Sequence, residues 1–385
     1  MTDPRAPRSL AFIVTSEMTA TTFLKGYLKS LRERGFDVTL IASSEGRLET
    51  FARDEGVTAV SVPMHREPSP KADLASLRAL TTVLWRVRPE IVVTATPKAS
   101  LLGMLAAAAT RVPVRVYQVW GLRAETETGT RRLILGSLER LTLRLATHIV
   151  ANSASLAQEV RALAKGRRID VVGQGSSHGV DLERFDRAHA LPSLPTETMA
   201  KLATGQPVVG TVGRVHRDKD ILTLLEAMRR VSVSRPATLL VVGPGEDDQT
   251  EAELARDHCP LSVVRVGTVT DPRPWFVRMD VHVLPTLREG FPNVVLEAAA
   301  LGVPTITTTA TGARDSVIHE QTGLLVTPSD PGALADAIEA LLADPARQQR
   351  YAHAARLRVE QSFRQEDVWR LQGEYLETAR VRGRR

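Results

Sequence analysis

Two glutamates eight positions apart, Glu289 and Glu297, flank a turn containing Gly290, Phe291 and Pro292 in the stretch REGFPNVVLEAAALGVP (288–304). An apolar run with helical spacing follows the turn, so Glu289 precedes a helix and Glu297 lies inside it. Pro292 suits the first helical position and Gly302 ends the helix. Backbone N–H groups at a helix start have no partner within the helix. Those between Gly290 and Val294, Asn293 included, can therefore donate to phosphate or sugar oxygens. A carboxylate at Glu297 can accept two hydroxyl hydrogen bonds from a ribose. Taken alone, the two acids read better as solvated surface groups that complement the helix dipole.

A second stretch changes the weighing. In VVGTVGRVHRDKDILTLLEAM (208–228) a strand ends at Gly213, and Ile221, Leu224, Leu225 and Met228 mark the buried face of the next helix. Arg214 then falls in the loop and Lys219 in the first turn. Cations at the positive end of a helix are each unfavourable by about 0.3–1 kcal/mol unless an anion joins them. A diphosphate is such an anion. Arg217 fits equally well in a solvated loop.

These loops need strands to hold them. Apolar β-branched runs at 10–16, 36–43, 57–63, 90–96, 114–121 and 147–153 alternate with helical patterns. The alternation stops at 188–207, a Pro-containing polar connector, and restarts with runs at 207–213, 237–245, 262–269, 281–286, 303–309 and 323–328. Uninterrupted strand-like runs separated by helices imply parallel sheets covered on both faces. The chain is thus expected to be α/β, with Rossmann-like domains over 1–190 and 191–363 and a last helix in 364–385. Two such domains in tandem offer a cleft between the carboxyl ends of their sheets.

Composition excludes other classes. With 385 residues, 43% of them apolar, the chain can build two cores. One cysteine, Cys259, rules out a disulfide framework or a Cys-based metal cluster and points to the reducing cytoplasm. The opening 1–18, with Arg5 and Arg8 before LAFIVT, reads as a first strand rather than a signal segment. No apolar stretch reaches the roughly 20 residues of a membrane span. The net charge of +6 is spread over mostly Arg side chains, 7 of the 50 basic residues being Lys, which does not indicate nucleic acid. The segment TGTRRLILGSLERLTLRLATHIV mixes Arg131, Arg132, Arg140 and Arg144 with leucines. It fits either a cationic amphipathic helix on anionic lipid or a helix packed on the first sheet with Arg facing solvent.

VGRVHRDKDILTLLEAM, REGFPNVVLEAAALGVPTITTTATGARDSVIHEQTGLLV and GSSHGVDLERF together resemble the family 4 retaining glycosyltransferases of GT-B fold. FIVTSEMTATTFLKGYLKSLRERGFDVTLIAS, TPKASLLGMLAA and GLRAETETGTRRL are similar to their capsular-polysaccharide and lipid-linked-oligosaccharide branch. The resemblance runs from Ser9 to about Phe363. It implies two Rossmann-like domains facing an interdomain cleft, a UDP-sugar donor and a glycan, lipid-linked glycan or small-molecule acceptor. Arg214 and Lys219 would bind the diphosphate and stabilise the leaving group. Glu289 with Gly213 and the Gly290, Phe291, Pro292, Asn293 and Val294 backbone would hold the donor, and Glu297 the ribose. These make Arg214, Lys219 and Glu289 the catalytic set. No cofactor, metal or protein nucleophile is expected. Thr19, Trp120, Gly121 and Arg123 would lie on the acceptor side, Trp120 standing where many relatives carry a sugar-contacting His. His178 replaces the Asn of the relatives' NGVD and reads as a linker-packing residue. The last helix crosses back to the N-terminal domain in such proteins. The enzyme would be cytoplasmic, with peripheral contact at the inner membrane face. A soluble natural-product acceptor, an isomerase and an inert nucleotide-sugar binder are the alternatives.

Overall fold

A computed structural model describes residues 8–65 and 69–380. The chain forms two compact units, one from Gly179 to Glu366 and the other from the residues up to His178 together with those from Asp367 onward. The division falls at Gly179, ahead of the break expected at 190. The polar connector is not uniformly irregular, since Thr196–Leu202 is a helix. Arg5 and the basic end beyond Arg380 lie outside the described residues.

In the first unit the strands are β1 (Arg8–Ser16), β2 (Phe36–Ser43), β3 (Thr58–Ser61), β4 (Ile91–Thr94), β5 (Val114–Val119) and β6 (His148–Ala151), in sheet order β3-β2-β1-β4-β5-β6. Every pairing is parallel. Alternate residues of β1 enter different cores. Leu10, Phe12 and Val14 pack with Ala20, Leu24 and Leu28 from the helices after β1, while Ala11 and Ile13 pack with Ala99, Leu102 and Ala106 from the helix after β4. Helices therefore cover both faces of the sheet. Two short helices, Glu17–Phe23 and Tyr27–Glu33, follow β1. Gly26 sits between them at φ 80°, where a Cβ would lie 2.4 Å from the Trp369 ring. Trp369 belongs to the final helix Gln365–Thr378, which packs into this unit. Its Tyr375 hydroxyl is 2.9 Å from Asp170, its Gln372 amide donates to the Ser177 carbonyl at 2.9 Å, and Leu376 is buried beside β1.

In the second unit β7 (Val208–Val212), β8 (Thr238–Val242), β9 (Ser262–Val266), β10 (Val281–Leu284), β11 (Thr305–Thr308) and β12 (Gly323–Val326) take the order β12-β11-β10-β7-β8-β9, again all parallel. Val209, Leu239 and Val283 pack with Leu224, Leu225 and Met228 of helix Ile221–Ser234. Val208, Val212 and Leu240 pack with Leu296, Ala298 and Ala299 of helix Asn293–Ala300 on the other face. The strands are mostly shorter than the apolar runs that announce them, because the ends of those runs become the loops of the carboxyl edge.

Candidate active site

In the second sheet the chain winds from β7 through β8 to β9 in one direction and from β10 through β11 to β12 in the other. The winding reverses between β7 and β10, which are neighbours, and in an open α/β sheet the crevice for ligands forms at such a reversal. The loop after β7 carries Arg214 and Lys219, and the loop after β10 carries Glu289. The topology thus places the two charged stretches side by side.

Gly213 ends β7 with its amide bonded to the Val242 carbonyl at 2.9 Å. A Cβ on Gly243, at the end of β8, would fall 1.9 Å from the Gly213 carbonyl oxygen, so glycine is required for this backbone approach. Lys219 closes a short 3₁₀ turn, Arg217–Lys219, and does not sit in the first turn of the following helix. Asp220, at φ 47°, separates the two elements. Lys219 Nζ forms an ion pair with Glu289 in which both side chains are largely buried. Arg214 reaches the β8 loop, with Nη1 2.5 Å from Glu246 Oε2.

The helix after β10 is Asn293–Ala300, capped by Pro292 at φ −81° and ψ 98°. Pro292 therefore stands one position before the helix and not at its first residue. Phe291 is buried against Phe363, ring centroids 5.2 Å apart, which fixes the turn. The Glu289 amide is taken by the Thr311 carbonyl at 2.8 Å. Gly312 lets that segment approach, since a Cβ there would lie 2.4 Å from the Glu289 oxygen. Glu297 lies inside the helix, and loss of water raises its carboxyl to about 7, the nearby Arg184 charge opposing the rise. Sequence reasoning missed Arg184, which is brought close because Phe185 packs into the same core as Leu296 and Ala299.

Asp218 and Arg288 were also missed. The two form an ion pair across the loops after β7 and β10. Their positions beside Lys219 and Glu289 were the available signal.

In the first unit Thr19 is bonded at its amide to the Ser16 Oγ, 3.4 Å away. One turn on, the Phe23 ring lies 5.5 Å from Trp120 and 5.5 Å from His178. Trp120 follows β5, and its buried Nε1 has no hydrogen-bond partner among the described residues. Gly121 takes φ 136° and Arg123 opens a 3₁₀ turn. His178 meets Phe23 edge-to-face and its Nδ1 is 2.8 Å from the Ser177 Oγ, while burial holds its pKa down to about 4. No group of three His, Cys, Asp or Glu side chains positioned to hold a metal occurs among the described residues.

Residues 206–344 match the family model described as "Glycosyl transferases group 1", and residues 19–175 match "Glycosyl transferase 4-like domain". The chain is 36% identical to the capsular polysaccharide biosynthesis glycosyltransferase CapM of Staphylococcus aureus, over 90% of this chain and 91% of that protein. It is 28% identical, over 79% of each chain, to a UDP-Gal:alpha-D-GlcNAc-diphosphoundecaprenol alpha-1,3-galactosyltransferase of Escherichia coli. Among solved structures, Anabaena HepE in complex with UDP and glucose superposes with a TM-score of 0.77 at 19% identity, covering 96% of this chain and 100% of its own. That likeness shows the GT-B fold.

The Lys219–Glu289 pair has a measurable signature without ligand. Removing one member leaves a largely buried charge unmatched, which costs about 1–3 kcal/mol. Lys219→Met and Glu289→Gln should each lower the urea midpoint, and the double variant should lose less than the sum of the two. Additive losses would show that the two charges do not interact in solution.

Proposed function

The chain belongs to the group 1, family 4-like glycosyltransferases, and from that premise we propose that it transfers a sugar from a UDP-sugar to a hydroxyl acceptor with retention, in the synthesis of a cell-surface or lipid-linked glycan. The observation that carries this reading is the meeting, at one sheet reversal, of two cations, Arg214 and Lys219, with Glu289 and the helix start that leads to Glu297. The roles of the two relatives, a capsular enzyme and a galactosyltransferase acting on a diphosphoundecaprenol-linked sugar, support the product class. The UDP and glucose held by HepE support the donor. A hexose or N-acetylhexosamine is the sugar this reading favours.

In the proposed reaction the bond between the anomeric carbon and the diphosphate oxygen breaks. The acceptor oxygen bonds to that carbon on the same face, and the acceptor proton passes to the departing phosphate. Negative charge grows on the diphosphate as the bond breaks, so preorganised cations beside it lower the barrier. Arg214 and Lys219 fill that role with the amides around Gly290 and Asn293, and in this reading the diphosphate needs no metal. Glu289, released by Lys219, accepts sugar hydroxyls. Glu297 accepts the two ribose hydroxyls as a carboxylate. The acceptor meets the first unit near Thr19, Trp120, Gly121 and Arg123.

The acceptor's setting is proposed from helix Gly129–Leu145. Leu133 is 68% and Ile134 55% exposed, and Leu138 and Leu141 are exposed as well, so the solvent side carries leucine besides arginine. Arg131, Arg132, Arg140 and Arg144 are also exposed. Apolar side chains flanked by cations suit an anionic bilayer surface, and no described helix is long and apolar enough to cross one. The proposed location is cytoplasmic, at the inner face of the membrane.

The donor reading is tested by calorimetry with UDP and by UDP release from a panel of UDP-sugars. Arg214→Ala should lower turnover by roughly 10²–10³. Glu297→Ala should weaken UDP itself, and Glu289→Ala should spare UDP and impair transfer. Because the carboxylate form of Glu297 is the binder and its pKa is about 7, wild-type UDP affinity should weaken as pH falls below 7. Glu297→Gln removes this dependence, and the difference between the two curves should approach about tenfold per pH unit well below 7. Equal UDP affinity and equal pH profiles in wild type and Glu297→Gln would remove Glu297 from the donor site.

The membrane reading is tested by sedimentation with anionic vesicles. Each basic residue near the surface contributes about 1 kcal/mol, and salt weakens the attraction. Wild type should pellet at low salt and stay in solution at high salt. A variant with Arg131, Arg132, Arg140 and Arg144 changed to Gln should stay in solution at both. A wild type that never pellets makes a soluble small-molecule acceptor the better reading.

A further inference from the structure

Two successive charge pairs cross from the loop after β7 to the loop after β10. Lys219 pairs with Glu289, and the residues immediately before them, Asp218 and Arg288, pair with each other. The second pair is as enclosed as the first, with Asp218 14% and Arg288 19% exposed at the side chain. Asp218 ties the loops through its backbone as well. Its carbonyl accepts the Leu287 amide at 2.8 Å and the Thr286 hydroxyl at 2.9 Å. Its amide donates to His216 Nδ1 at 3.2 Å, which places the imidazole 3.6 Å from its carboxylate. One residue is thus bonded to three consecutive residues of the opposite loop.

The charge logic explains why a carboxylate belongs there. Arg288 adjoins Glu289 in sequence, and an Arg without a partner at that position competes with Lys219 for the Glu289 carboxylate. Asp218 engages Arg288 and leaves Lys219 and Glu289 to each other. A long Lys side chain on a short 3₁₀ turn has little else to fix it, because that turn spans only Arg217–Lys219.

We propose that Asp218 is a positioning residue for sugar transfer, with Arg288 as its counter-ion, holding the two loops in the register that sets Lys219 against the donor diphosphate and Glu289 against the donor sugar. The assignment of the donor's parts rests on the reading above; the bridging of the two loops does not. Asp218 acts through its neighbours and needs no contact with the donor.

The test uses the full chain with Asp218→Asn, Arg288→Gln, Arg288→Lys and the Asp218→Asn/Arg288→Gln double variant. Hydrogen exchange without ligand should accelerate in 214–220 and 285–290 together, by at least about tenfold in Asp218→Asn and in Arg288→Gln, since each removes the ion pair that joins the two loops. UDP affinity should fall by a smaller factor than the rate, because Glu297 and the ribose contact are untouched while Lys219 loses its register against the diphosphate. The maximal rate of UDP release from UDP-glucose should fall by roughly tenfold to a hundredfold per folded molecule, the usual cost of misplaced groups, with KM little changed. Arg288→Lys should retain most of the rate, and the double variant should be no slower than Asp218→Asn. Wild-type exchange in either loop overturns the proposal. So does a lowered thermal midpoint with an unchanged rate, or a double variant whose loss is the product of the single losses. If wild type releases no UDP from UDP-glucose, the donor reading has failed for that sugar, and the coupled exchange of the two loops alone decides the role of Asp218.

Discussion

The reversal of winding between β7 and β10 is the constraint on which the site depends. Right-handed crossovers carry the helix after β7 to one face of the sheet and the helix after β10 to the other. The two cores record this, with Ile221, Leu224 and Leu225 in one and Leu296, Ala298 and Ala299 in the other. Neither helix covers the carboxyl ends of the two strands from which they leave. The crevice is thus a consequence of chain direction, and the loops bordering it are adjacent although Lys219 and Glu289 are 70 residues apart. Glycine completes the arrangement where backbones converge, at Gly243 against Gly213 and at Gly312 against Glu289.

Charge within the crevice is balanced before any ligand arrives. Arg214 faces Glu246, Lys219 faces Glu289, Arg288 faces Asp218 and Arg217 faces Asp247. These pairs are not equivalent. Arg214 is 40% exposed, and an ion pair that open to water contributes about 0–1 kcal/mol, so an arriving diphosphate can take this guanidinium from Glu246 at small cost. Lys219 and Glu289 are far less exposed and hold each other more firmly. A diphosphate carrying a sugar offers replacements to both at once, anionic oxygens to the lysine and hydroxyls to the carboxylate. A bare anion satisfies only the lysine and leaves the glutamate without its cation.

The strands, the two sheets and the charged loops were legible because each has a local signature: β-branched runs, helical spacing after Gly213, and a turn before an apolar helix. Cross-loop chemistry was not. Asp218 and Arg288 look like ordinary loop charges until β7 and β10 are neighbours, and no spacing rule links positions so far apart in sequence. Arg184 escaped for the same reason, being carried to Glu297 by the burial of Phe185. Pro292 and Lys219 were displaced by a residue or two from their expected places, which is the scale on which capping geometry overrides periodicity. The helix Gly129–Leu145 could be read either way from its pattern. In it Leu133 and Ile134 face solvent while Leu143 is buried, so apolar side chains lie on both sides of the helix.

The two units share one winding and differ in what they place at the reversal. In the first sheet the reversal lies between β1 and β4. The charges there are consumed internally. Glu17, fully buried, accepts the Glu45 and Arg47 amides at 2.8 and 3.0 Å, and these bonds with the Arg47 guanidinium keep its carboxyl below the usual range despite its burial. Lys98 is bound to Asp73 at 2.7 Å. Near this edge the half-buried Thr19 has its hydroxyl 3.2 Å from the Ser16 Oγ, and Trp120 packs on Phe23 with its Nε1 buried. Glu17 and Lys98 are thus held by neighbours of their own unit, whereas Arg214, 40% exposed, can exchange its partner. The shared topology sets where each reversal lies, and the loop residues beside it decide which charges stay exchangeable.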